Sequence, residues 1–166
     1  MGISFNEEGI KKYVKPEITN GLKKLKKVTG EEFDAVLILD TSKGMNPNII
    51  AEVFDADPFK QTLLINKDNH YWTDEEEMED IISITSTKTR EHLFFHEYAH
   101  KKFATLPNKW NNRKEEEAIA SNLSTVAARN PDEFQSELYA RKHLGFKVDP
   151  EHIELYEKYG GNYENL

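Results

Sequence analysis

The spacing of apolar positions changes partway along this chain, from helical to strand-like and back to helical. Ile18, Leu22, Leu25 and Val28 fall on one helical stripe, so residues 7–28 read as one or two helices, interrupted near Pro16 and ending before Gly30. Residues 36–39 are a compact apolar run, and residues 49–54 and 62–65 are two more, which predicts three strands. The last two are joined across Asp55-Ala56-Asp57-Pro58, and the turn-forming residues 43–48 predict a loop. Thr73 followed by Glu76 has the form of a capping box and predicts a helix over about residues 74–82. Helical spacing then returns over about residues 88–104, 113–129, 131–145 and 150–159. The order is helix, three strands, then helices only. It predicts an α+β fold within one domain over residues 1–166. A small sheet of three or more strands, backed by the N-terminal helix, is followed by a central helix and a C-terminal helical part.

The segment over 88–104 carries His96-Glu97-Tyr98-Ala99-His100, an HExxH pattern. Side chains at i and i+4 stack on one helix face, so His96 and His100 can hold a single metal ion. Glu97, beside the first histidine, is placed to work on a water at that metal. Leu93, Phe94, Phe95, Ala99 and Phe103 supply an apolar side, while Arg90, Lys101 and Lys102 can stay in water. The competing explanation of a histidine on such a face is a hydrogen-bonded core residue. Two at the right spacing with Glu between them favour the metal.

Composition narrows the chemistry. The chain has no cysteine, so a metal would be held by His and carboxylate. With no membrane-spanning apolar run and no signal-peptide pattern, the expectation is a cytoplasmic protein that does not engage membranes. A net charge of −8 argues against a nucleic-acid partner, because it repels phosphate. Lys23-Lys24-Leu25-Lys26-Lys27 is a basic cluster, but Ile18, Leu22, Leu25 and Val28 make it the solvated side of an amphipathic helix.

A strand region, then the HExxH helix, then a later helix with glutamates resembles the gluzincins, zinc peptidases whose third ligand is a glutamate. The likeness is closest to their minimal single-domain forms and to peptidases of the ImmA/IrrE kind, and covers roughly residues 33–145. It implies a zincin-like fold, one Zn2+ and a protein or peptide substrate. The metzincin extension is absent, since residue 103 is Phe and residue 106 is Leu. The third ligand is therefore sought among carboxylates.

In residues 131–145, Phe134, Leu138, Ala140 and Leu144 define an apolar face, with Glu137 near its centre and Glu133 towards its edge. A carboxylate amid apolar residues is costly unless paired, which a metal and two imidazoles would provide. Glu137-Leu138-Tyr139-Ala140 also resembles the Glu-x-x-Ala of many gluzincin glutamate helices. The aspartate common in that family four residues later is here Arg141. Glu116 and Glu117 compete, lying sixteen and seventeen residues after His100. The resulting order is Glu137, then Glu116 and Glu117, then Glu133.

The function expected from these residues is a zinc metallopeptidase using a metal-activated water, with Glu97 as general base and His96, His100 and Glu137 as ligands. His143, Tyr139 and Tyr156 are available to steady the oxyanion. The strand at residues 62–65 is either an edge that pairs with an extended substrate or a buried core strand. The alternatives are a regulatory or binding protein of the same fold with little general proteolysis, and a non-enzymatic interaction protein.

Overall fold

The computed structural model describes residues 2–4, 11–39, 46–54 and 62–166. It is an α+β structure whose contacts divide it into two compact units, Met1–Ile82 and Ser83–Leu166.

The first unit contains β1 (Gly2–Ser4), α1 (Val14–Thr29), β2 (Ala35–Leu39), β3 (Ala51–Phe54), β4 (Thr62–Asn66), a one-turn α2 (His70–Thr73) and most of α3 (Glu75–Ser83). The strands form one mixed sheet in the order β1-β2-β4-β3. β1 and β4 run parallel to β2, while β3 is antiparallel to β4 and pairs Ala51 with Ile65 and Phe54 with Thr62. β2 alternates, burying Val36 and Ile38, whereas every residue of β4 is buried, as a strand covered on both faces requires. The run at 62–65 is thus an inner core strand and does not offer a substrate-binding edge.

α1 is one helix, and Pro16 does not interrupt it. Pro16 is the third helical residue, where a backbone N–H has no partner to lose. Val14, Ile18, Leu22 and Leu25 are buried, and Gly30, at φ 75°, ends the helix by donating to the Lys26 carbonyl. Residues 7–10 of the expected helix and 43–45 of the expected loop lie outside the described residues, as does the link over 55–58. Asp74, not Thr73, caps α3: its side chain accepts from Glu76 N at 3.0 Å, because Thr73 is taken into the turn of α2.

The second unit is helical. It comprises α4 (His92–Lys102), α5 (Arg113–Ser121), α6 (Pro131–His143) and α7 (Pro150–Lys158), with short 3-10 turns at Ala127–Arg129 and Tyr163–Asn165. α4 begins later than its apolar spacing implies. Lys88 takes a left-handed φ of 54°, which a helix cannot accommodate. The helix expected over 113–129 is broken after Ser121, and the Ser124 hydroxyl accepts the Ala127 N–H in place of a helical carbonyl. Asn130 and Pro131 start α6 as expected: the Asn130 side chain accepts from Glu133 N at 2.8 Å, and Pro131 takes the first helical position. α4 packs chiefly on α6, with Phe94, Phe95, Tyr98 and Ala99 buried on one helix and Phe134, Leu138 and Tyr139 on the other. Among the described residues, no helix is long and apolar enough to cross a membrane.

Candidate metal centre

Helix α4 presents His92, His96 and His100 at successive turns, and the first two turns of α6 face them with Asp132, Glu133 and Glu137. Donor atoms of three side chains converge. His96 Nε2 lies 3.0 Å from Glu133 Oε2, His100 Nε2 lies 3.1 Å from Glu133 Oε1, and the two Nε2 atoms are 3.1 Å apart. A tetrahedral zinc with ligands at about 2.0–2.1 Å keeps neighbouring donors roughly 3.3 Å apart. The triangle is close to that size, and its two nitrogens and carboxylate are the donor types that a cysteine-free site requires. His96 is buried, whereas the side chains of His100 and Glu133 retain 21 % and 25 % exposure, so the group is reachable from solvent on that side.

Glu137 meets His96 on its other nitrogen. Its Oε2 is 2.7 Å from His96 Nδ1 and also pairs with His92 Nε2. Its Oε1 accepts from Ser86 N at 3.0 Å and from the Ser124 hydroxyl at 2.8 Å. His92, His96 and Glu137 form a second potential ligand group, in which the carboxylate lies within hydrogen-bonding distance of both imidazoles. The completely buried carboxylate is saturated by four donors. Asp132 lies 3.4 Å from His100 Nδ1 and accepts the Leu106 N–H at 3.0 Å. One helix end thus supplies a carboxylate between the two Nε2 atoms and another behind each imidazole.

The charges are mutually stabilising. Burial alone would push the His96 pKa down, but hydrogen bonds donated to Glu133 and Glu137, and the charges of Glu137 and Glu97, hold it well above its usual value. His100 is raised to about 9: burial and the charge of neighbouring His96 oppose this, while Asp132, Glu133 and Glu97 favour it. Burial would raise Glu133, yet His100 and His96 hold it well below the usual carboxylate range. Glu137 is likewise held low against burial, by His92 and His96. Such a cluster calls for positive charge, which either protons or a metal cation supply.

Glu97 is half-buried on α4, and its charge reaches both His96 and His100. Glu116 and Glu117 belong to neither group of potential ligands among the described residues. Glu116 is buried and serves the scaffold: its Oε1 accepts from Asn112 N at 2.8 Å and from the Tyr159 hydroxyl at 2.6 Å. Its Oε2 pairs with Lys158 at 2.8 Å. Glu117 pairs with Arg113 at 2.9 Å on the surface. Of the residues expected to steady an oxyanion, Tyr156 donates to Gln135 at 3.0 Å, His143 bonds the Leu166 carbonyl at 3.0 Å, and Tyr139 is wholly buried against His143 and Phe103.

Sequence reasoning passed over His92, Asp132, Ser86, Thr87 and Ser124. His92 had a signal, standing four residues before His96 on the same face; Thr87 bonds His92 only five residues on, and Asp132, Ser86 and Ser124 show their part once distant segments meet. Compared with known families, curated proteins and solved structures, the chain shows no significant match.

Proposed function

We propose that this chain is a zinc-dependent peptidase with His96, His100 and Glu133 as the metal ligands and Glu97 as the general base. The observation that carries the reading is the convergence of both HExxH Nε2 atoms on Glu133, with the charge of Glu97 acting on both histidines. In this assignment Glu137 supports the centre without binding the metal. It stands four residues after Glu133, where the gluzincin likeness expects an acidic residue, so Arg141 ceases to be an anomaly.

A zinc ion bound there would lower the pKa of a water and polarise a substrate carbonyl. The protein's own groups prepare for this. With a metal in place of the Nε2 proton, Glu137 would accept the Nδ1–H of His96 and so keep the Nε2 lone pair directed at the ion. Asp132 would do the same for His100 across a longer contact. Glu97 accepts the proton of the attacking water on its carboxylate and passes it to the leaving amide nitrogen. The part-exposed edge formed by His100 and Glu133 is the side on which water and substrate would approach.

The test is metal analysis of the protein purified without a polyhistidine tag, together with cleavage of an unstructured protein. About one zinc per chain is expected, and Glu97→Gln should keep the metal and lose cleavage. Folded protein that neither carries nor takes up a transition metal at neutral pH would remove the reading. Metal retention without cleavage by the wild type would instead favour a regulatory or binding role.

A further inference from the structure

We infer that His92, one turn before His96, is a positioning residue of the metal centre that acts through Glu137. The inference rests on the assignment of His96, His100 and Glu133 as ligands. A carboxylate only accepts hydrogen bonds, so His92 Nε2 and His96 Nδ1 must both present N–H to Glu137 Oε2. Two successive turns of α4 therefore hang on one oxygen of α6. Ser86 N and the Ser124 hydroxyl hold the other oxygen, which leaves His92 as the partner that fixes how Oε2 is offered to His96. Without it, the carboxylate and the His96 ring can swing together, and the Nε2 direction is lost.

His92 is itself tied down. Its Nδ1 lies 3.0 Å from Thr87 Oγ1, and Thr87 Oγ1 lies 2.9 Å from Thr89 Oγ1. With Nε2 engaged by Glu137, Thr87 Oγ1 is the partner on the other side of the ring. Lys88, between the two threonines, is the one non-glycine residue at positive φ among the described residues. Such backbone persists where its surroundings over-determine it. The Ser86 hydroxyl also donates to the Glu137 carbonyl at 2.8 Å, and Arg141 donates to the Ser86 carbonyl. The segment before α4 thus delivers Ser86 to one carboxylate oxygen and, through Thr87 and His92, a donor to the other. A core histidine needs only two satisfied nitrogens; His92 spends one of its bonds on the very atom that orients a ligand.

The experiment measures zinc affinity of the full chain at neutral pH by competition with a chromophoric chelator, with cobalt absorption spectra to report ligand geometry. In His92→Gln the amide nitrogen reaches the place of Nε2, whereas in His92→Asn it reaches only that of Nδ1. Gln should bind zinc within about 3-fold of wild type, and Asn and Leu should bind about 10-fold or more weakly with altered cobalt spectra. Thr87→Val, which keeps volume and removes the partner of Nδ1, should weaken zinc about 3-fold and guards against a folding failure of the His92 variants. Wild-type affinity in the Asn, Leu and Val variants overturns the inference while leaving the ligand assignment intact; so does a loss in Gln as large as in Leu, which would mark a packing role. A wild-type protein that binds no zinc overturns the ligand assignment itself.

Discussion

Glu133→Ala and Glu137→Ala should separate metal affinity from fold stability, because the two carboxylates sit differently on one helix. Truncating Glu137 strips the partner from Ser86 N, the Ser124 hydroxyl, His92 and His96. Each orphaned buried donor costs about 1–3 kcal/mol, and breaking a buried charged pair from one side costs about 3–5 kcal/mol. These losses overlap, so a net loss of about 4 kcal/mol is expected, a large share of a typical stability of roughly 5–15 kcal/mol. Glu133 is a quarter exposed and contacts only His96 and His100 among these groups, so its removal should cost the metal-free protein about 1 kcal/mol. Zinc affinity reverses the order: loss of a ligand should weaken binding by about 100-fold or more, beyond the 10–100-fold expected of a supporting residue such as Glu137. Denaturant unfolding in excess chelator measures the first quantity, and chelator competition under native conditions the second. If Glu137→Ala releases zinc more completely than Glu133→Ala and leaves metal-free stability nearly unchanged, the ligand roles are the other way round.

Glu116→Gln should destabilise the protein at neutral pH through a group remote from the metal ligands. Burial would raise the Glu116 pKa, but Asn112 N–H, Lys158 and Tyr159 lower it from 4.5 to about 2. A lowered pKa stabilises the fold above the unfolded value of 4.5 and loses that contribution as pH falls towards 2. The full linkage would be about 3 kcal/mol, reduced to about 1–2 kcal/mol because Lys158 is largely exposed and screened. The gap between wild type and variant in denaturant unfolding should therefore close between pH 4.5 and 2; a gap independent of pH would contradict it. Lys88→Gly should raise the melting temperature or leave it unchanged, and Lys88→Val should lower stability by about 1 kcal/mol or more, since φ is 54° there. Gly161→Ala should cost about 1–3 kcal/mol, because a Cβ would come within 2.3 Å of the Tyr156 ring, which its hydroxyl tethers to Gln135; an unchanged melting curve would show that Tyr156 yields freely.

Local chemistry made much of this fold legible. The i, i+4 histidines and the Asn130-Pro131 start of α6 are set by neighbours within one helical turn, and the structure places both where the spacing puts them. What escaped depends on distant segments. A three-residue β1 has too few side chains to show a period, and the place of the run at 62–65 between β2 and β3 is set by pairing with segments distant in sequence. The break after Ser121 is worth making because it brings the Ser124 hydroxyl to Glu137, thirteen residues on.

The ranking of the carboxylates turns on the same distinction. A glutamate at the centre of an apolar face must be satisfied, and a helical projection cannot say by what; here it is satisfied by four donors from three separate stretches of chain. A catalytic metal also has to admit water and substrate, so its carboxylate ligand belongs where the buried face meets solvent. Glu133 occupies that edge, with 25 % of its side chain exposed against none for Glu137. In the proposed assignment, depth of burial marks the carboxylate that holds the imidazole, and partial exposure marks the one that shares a metal with it.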